Sequence, residues 1–167
     1  NNGIGSAAIV FNGTEEQKQK YLPKYASGEW ISCFCLTEPE AGSDAASLRT
    51  TARREGDHYI INGTKRYITN APVAHTFNVM ARTNPDIKGA RGISSFIVER
   101  DTPGITLGSI DKKMGQSGSM TCDVIFEDVK VPAENIIGEE GEGFITAMKV
   151  LDRGRLHISG VSVGVAK

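Results

Sequence analysis

Two stretches of this chain carry residue types suited to a flat, phosphate-bearing ligand. The first is Cys35-Leu36-Thr37-Glu38-Pro39-Glu40-Ala41-Gly42-Ser43-Asp44, where the apolar run Trp30 to Leu36 breaks into small and acidic residues. Gly42 permits a positive φ, and Ser43 or Asp44 can open the short turn Ala45-Ala46-Ser47-Leu48. Free backbone N–H groups at such a turn, together with the Ser43 hydroxyl, suit a phosphate. Capping of the turn alone would also account for Gly-Ser-Asp. The second stretch is Lys65-Arg66-Tyr67-Ile68-Thr69-Asn70. Tyr67 and Thr69 are two apart on a predicted strand, so they face the same way. An aromatic plane beside a hydroxyl can pack and hydrogen-bond a heteroaromatic ring. The half-buried surface ladder of a β-barrel uses the same residue types. Strict alternation sets Thr37 opposite Phe34 and Leu36. These residues reach one ligand only by mixing backbone and side-chain contacts at the strand's end.

A third feature lies near the C-terminus. Phe144, Met148, Leu151, Ile158 and Val165 fall on one helical stripe, and Arg155 interrupts it. A cation in an apolar stripe is unfavourable unless paired. Asp152, three residues earlier, offers a local partner. The alternative is that Arg155 faces a bound ligand or a carboxylate from elsewhere. Gly160 and Gly164, four apart, permit close helix packing, but Lys149, Asp152 and Arg153 argue against a membrane helix.

These stretches need elements to position them. Gly3 to Asn12 reads as the tail of a buried helix. Thr14 and Gln17 form a capping box for a second helix, with Glu15 and Glu16 in its first turn. That helix is expected to stop near Tyr21, ahead of Pro23. Short strands follow at Ile31–Thr37, Thr51–Arg54, His58–Asn62, Thr64–Thr69, Thr76–Arg82, Ile93–Glu99, Ile105–Gly108, Cys122–Glu127 and Val129–Val131. Asn62-Gly63 is the strongest hairpin signal. After Gly138 the helical period returns. The expected architecture is an α+β fragment: an antiparallel β-barrel or sandwich at 29–138, flanked by helix remnants at 1–28 and 139–167. With no Met at the start and no C-cap at Lys167, the chain is expected to be the interior of a longer protein.

The bulk composition excludes several classes. A net charge of −1 over 167 residues gives no support to a nucleic-acid partner or an anionic membrane. No apolar run approaches the ~18–20 residues of a membrane span. Cys33, Cys35 and Cys122 make neither a zinc framework nor a disulfide set. Cys33 and Cys35 read as small buried hydrophobes on one strand face, which implies a reducing compartment. His58, His75 and His157 have no metal-ligand spacing, so no metal is expected.

Several motifs together resemble the acyl-CoA dehydrogenase family. They are Leu36-Thr37-Glu38-Pro39-Glu40-Ala41-Gly42-Ser43-Asp44, then Tyr59 through Asn70, then Phe126-Glu127-Asp128-Val129-Lys130-Val131-Pro132, then Gly141-Glu142-Gly143-Phe144. They occur in family order and spacing across nearly the whole chain. The resemblance implies an FAD enzyme built as helical domain, β-domain and helical domain. It implies cofactor contacts from the run Phe34, Cys35, Leu36 and Thr37, from Gly42 and Ser43, and from Tyr67, Ile68 and Thr69. Thr37 would bond the pyrimidine side of the ring and Thr69 would lie near its N5. Ser43, Asp152 and Arg155 fall where the family contacts the acyl-CoA. The family often has Trp where this chain has Tyr67, which changes the flavin fit and the substrate width.

The implied reaction is α,β-dehydrogenation of an acyl-CoA to the trans-2-enoyl-CoA. A carboxylate takes the α-proton, the β-hydrogen leaves as hydride, and hydrogen bonds to the thioester carbonyl stabilise the enolate. Electrons pass to an electron-transfer flavoprotein, as in fatty-acid β-oxidation. No residue here is read as the base. Some branches place a Glu where this chain has Gly154, and the commoner location lies beyond Lys167. The isolated segment is therefore expected to be inactive, and the whole enzyme to be a homodimer or homotetramer. A bacterial cytoplasm is the expected location, with the mitochondrial matrix as the alternative. Rival readings are a same-fold acyl-CoA oxidase or flavin monooxygenase, and a non-catalytic β-barrel binding module.

Overall fold

A computed structural model describes residues 3–167. Asn1 and Asn2, part of the expected 1–28 segment, lie outside the described residues. Helix α1 spans Gly3–Asn12 and α2 spans Glu15–Ser27. The capping box forms as the sequence requires: the Gln17 N–H donates to Thr14 Oγ1 at 3.2 Å and the Thr14 N–H to Gln17 Oε1 at 3.1 Å. The helix does not stop before Pro23 but runs through it. Tyr21 and Tyr25, buried on either side of the proline, hold both turns in the core, and the left-handed Gly28 (φ 80°) ends the helix.

Seven strands follow: β1 (Ser32–Cys35), β2 (Thr51–Glu55), β3 (His58–Thr69), β4 (Thr76–Arg82), β5 (Ile93–Glu99), β6 (Ile105–Leu107) and β7 (Thr121–Pro132). They form one curled sheet in the order β1-β4-β2-β3-β7-β6, with β5 pairing β4. The pairings are antiparallel except those of β4 with β1 and, by a single register pair, with β2, which are parallel. Helix α3 (Gly143–Ala166) closes the chain. No helix among the described residues is long and apolar enough to cross a membrane.

The Asn62-Gly63 hairpin does not form. The turn at Gly56-Asp57 that separates the predicted strands 51–54 and 58–62 does form, between β2 and β3, but Asn62-Gly63 lies inside a 12-residue strand. Two predicted strands merge there, and two more merge into β7, because bulges let the ladder continue. The register steps from Ile61↔Val129 to Gly63↔Phe126, so β7 carries the extra residue. Asn62 fastens this bulge by bonding Asp128 through its Nδ2 (2.9 Å) and its Oδ1 (2.8 Å). The next step, Lys65↔Val124 to Ile68↔Cys122, puts the extra residue on β3 itself.

The core has three parts. One face of the sheet gathers Tyr59, Ile61, Phe77, Phe96, Val124 and Phe126 with the three cysteines. The other face packs Ile97 under α1 and α2, and Met80 and Ile93 under Leu36 and α3. With both faces covered, β4 and β5 are buried almost throughout. Helix α3 lies directly on β5, and a Cβ at Gly143 would fall 2.2 Å from the Ser94 carbonyl carbon.

Candidate functional site

The second bulge decides what the sheet presents. Along β3, Tyr59, Ile61 and Lys65 point into the protein by simple alternation. An unbroken strand would turn Tyr67 and Thr69 the same way. The extra residue at Arg66–Tyr67 flips the phase instead, with Tyr67 held at φ 57°. Ile68 becomes the inward residue, and Tyr67 and Thr69 face outward together. Tyr67 is 60% exposed, and the Arg66 guanidinium lies over its ring at 4.9 Å, itself bonded to Asp123 at 3.0 Å.

Tyr67 and Thr69 face a cleft of about 940 Å³, lined also by Phe34, Leu36, Thr37, Gly42, Ser43 and Ile68. The opposite wall is α3, which contributes Phe144, Met148, Leu151, Arg155 and Ile158. The predicted stripe is thus largely realised. Its last member, Val165, lies outside the cleft lining and is 83% exposed. Strand β1 ends at Cys35, two residues earlier than expected, so alternation no longer governs Leu36 and Thr37 and both can line the cleft.

Three expected site residues sit differently from their reading. Cys35 is fully buried, is not part of the cleft lining, and has its sulfur 3.8 Å from that of Cys33. Cys33 is buried at the edge of the cleft lining, and burial pushes its thiol well up. Gly42 is not in the left-handed region. An added Cβ there would have no atom within 4 Å, so what glycine provides is a bare stretch of backbone beside the cleft. Asp152 is outside the lining and pairs with Arg155 at 2.5 Å on an exposed surface. The Ala45–Ser47 turn forms as a single 3₁₀ turn that Asp44 precedes, with the Ser47 hydroxyl donating to the Asp44 carboxylate at 2.5 Å.

The sequence reading missed Lys65. Its side chain is fully buried and its ammonium donates to Glu38 Oε1 at 2.7 Å and to the Leu36 carbonyl at 3.2 Å. Glu38 also accepts the Arg49 N–H at 2.6 Å and the Thr50 N–H at 3.0 Å. Burial pushes the Glu38 carboxyl up, but Lys65 and the hydrogen bonds outweigh it and hold it below its usual value. Burial dominates at Lys65 and lowers it. The signal was present: a lysine in phase with Tyr59 and Ile61 must be buried. Asn70, His157 and the Gly3–Gly5 turn of α1 also line the cleft without having been foreseen. Among the described residues, no group of three or more His, Cys, Asp or Glu could hold a metal ion.

A curled sheet with a small-residue lip, an outward aromatic and hydroxyl on a bulged strand, and a helix facing them defines a class. Sequence profiles agree: residues 33–129 match "Acyl-CoA dehydrogenase, middle domain" and residues 1–29 match "Acyl-CoA dehydrogenase, N-terminal domain". The chain belongs to the acyl-CoA dehydrogenase family. It is 50% identical over 162 residues to "Acyl-CoA dehydrogenase, short-chain specific" of Clostridium acetobutylicum, covering 97% of this chain and 42% of that protein. It superposes on butyryl-CoA dehydrogenase from Megasphaera elsdenii with a TM-score of 0.94 at 44% identity, covering 98% of this chain and 43% of that one. An acyl-CoA dehydrogenase of Bacillus anthracis, solved in complex with FAD, matches at a TM-score of 0.85 and 47% identity, over 92% of this chain and 26% of that one. The chain therefore spans less than half the length of each of these relatives.

Proposed function

We propose that this chain forms the flavin-cradling middle of an FAD-dependent acyl-CoA dehydrogenase that converts an acyl-CoA thioester to its trans-2-enoyl-CoA. One observation carries the reading: Thr37, Ser43, Tyr67 and Thr69, from two distant segments, converge on a single cleft that Arg155 faces. The lining fits the cofactor. Bare backbone at Gly42 leaves room beside Ser43 for a phosphate, and the exposed Tyr67 ring offers a flat wall to a flat ring system. Bound FAD supplies the acceptor for the substrate's β-hydride.

On this reading Thr37, Tyr67 and Thr69 pack and hydrogen-bond the ring, with Phe34, Leu36 and Ile68 excluding water around it. Ser43 meets the pyrophosphate region and the thioester ligand. Arg155 meets the acyl-CoA by turning from Asp152, which holds it at the cleft edge until the ligand binds. The α-proton needs a carboxylate, and among the described residues the cleft offers none that is free. Glu38 is buried in its ion pair, and Asp44, the one acid lining the cleft among the described residues, is engaged by Ser47. Gly154, also in the lining, has no side chain to serve. The base therefore comes from outside these 167 residues. The segment alone is expected to turn over no acyl-CoA. The complete enzyme is a soluble homo-oligomer that passes its electrons to an electron-transfer flavoprotein.

The test uses the intact protein. Visible flavin absorbance is measured, then acyl-CoAs of graded length are added without oxygen. Bleaching by one length class that admitting air reverses only slowly supports the dehydrogenase and defines its substrate range. Bleaching that air reverses rapidly moves the function to the oxidase relatives, and bound flavin that no thioester bleaches moves it to the monooxygenase relatives. A protein that binds no flavin overturns the reading.

A further inference from the structure

The Lys65–Glu38 pair sits behind the cleft, outside its lining, and ties the lip that holds Leu36 and Thr37 to the strand that carries Tyr67 and Thr69. Lys65 precedes the bulge that turns Tyr67 and Thr69 outward. Its ammonium holds the Leu36 carbonyl, and the next residue, Arg66, donates its N–H to the Thr37 carbonyl at 2.8 Å. Two consecutive residues of β3 thus grip two consecutive residues of the lip. Glu38 opens the turn that leads into Gly42 and Ser43, closed by paired backbone bonds with Ala41 at 3.1 and 3.2 Å. Its carboxylate also anchors Arg49 and Thr50, on the far side of the Ala45–Ser47 turn.

We propose that Lys65 and Glu38 are a positioning pair for the cofactor, fixing the Leu36–Thr37 peptide and the 38–44 turn against β3 before the cofactor binds. The pair also acts electronically. An ammonium on the Leu36 carbonyl polarises the peptide whose other end is the Thr37 N–H, making it a stronger donor toward the cleft. A buried charge is placed where its field reaches a ligand through one peptide group, in surroundings that water does not screen. This inference rests on the flavin reading above. It adds residues that touch neither flavin nor substrate.

The experiment compares the intact wild-type protein with Lys65→Arg and with the double variant Glu38→Gln/Lys65→Met, which removes both charges together and leaves no unpaired ion. A purely structural pair replaced this way changes unfolding little and leaves the flavin site alone. The positioning role predicts a folded double variant that binds FAD at least tenfold more weakly. The flavin that remains shows a displaced visible band and a more negative reduction potential. Lys65→Arg, which keeps the charge, recovers part of both. A folded double variant with FAD affinity within twofold of wild type and an unchanged spectrum overturns the proposal. Should the double variant not fold, hydrogen exchange on the wild-type apoprotein decides. The Arg49 and Thr50 N–H groups must be as protected as β3 before FAD is added. Exchange at open-loop rates until FAD binds would mean that the cofactor orders the lip. Wild-type protein without flavin defeats the functional reading itself, a separate outcome.

Discussion

Two ion pairs lie beside the same cleft and behave oppositely. Lys65–Glu38, on the sheet side, has side chains 0% and 5% exposed, and both ions have further hydrogen-bond partners. Arg155–Asp152, on the helix side, has side chains 70% and 72% exposed and joins neighbouring turns of one helix. The first has exchanged water for a fixed set of protein partners and cannot rearrange without leaving a charge buried. The second keeps its solvent and can exchange partners with little penalty. The sheet wall of the cleft is thus set in advance, while the helix wall holds a cation that a ligand can recruit.

The sharpest way to break this contrast is Lys65→Met alone. It strands the Glu38 carboxylate in the interior and is expected to destabilise the intact apoprotein by about 3–5 kcal/mol, read by urea unfolding. A loss below about 1 kcal/mol would show that the pair is not the rigid element described here. Acid provides a second view. The folded-state pKa of Glu38 lies below its unfolded value, so its contribution is fully present above the ordinary carboxylate range. As pH falls the unfolded chain takes up the proton first, and stability declines until the folded carboxyl is also protonated. Glu38→Gln should flatten this part of the acid limb in pH-dependent unfolding.

Next in size is the seat of α3. Gly143→Ala would put a Cβ 2.2 Å from one backbone atom of Ser94 and 2.5 Å from one of Ser95, where neither side can yield cheaply. A loss of about 1–3 kcal/mol is expected in the same unfolding assay. Gly154→Ala is the control on the same helix. There the Cβ meets one side-chain atom, the Cγ2 methyl of the partly exposed Ile4, at 2.8 Å, which yields more readily than backbone, and alanine's better helix propensity offsets part of that contact. The two variants should differ by at least about 1 kcal/mol, and equal effects would deny that α3 is seated mainly through its first turn.

Much of this was legible in the sequence because it is local. Thr14 and Gln17 specify their capping box without help from the rest of the fold. The stripe from Phe144 to Ile158 follows from helical period alone. What was not legible depends on partners distant in the chain. Asn62-Gly63 reads as a turn until β7 is known to lie opposite, where Asp128 converts it to a bulge clamp. The slip in phase from Phe126 to Val129, three apart where a strand demands two, was the available sign. Cys35 and Thr37 were grouped as site residues by the family motif, yet strand alternation sends the Cys35 side chain into the core. Pro23 marked a helix end by a rule that holds on average, and the burial of Tyr21 and Tyr25 overrode it.

The smallest stability effect is expected at Arg155, and it is the most informative about the helix wall. Arg155→Ala and Asp152→Ala should each change unfolding by less than about 0.5 kcal/mol, since an exposed i,i+3 pair contributes little. Ligand binding should separate the two. If Arg155 turns from Asp152 to an acyl-CoA, Arg155→Ala raises KM for the thioester several-fold and leaves FAD affinity unchanged. Asp152→Asn frees the guanidinium and changes KM less. The effect of Arg155→Ala should shrink as salt rises, because the contact it removes is solvent-exposed and screened. Equal KM values for wild type and Arg155→Ala would reduce the pair to helix-surface electrostatics, leaving recognition in this chain to the sheet wall alone.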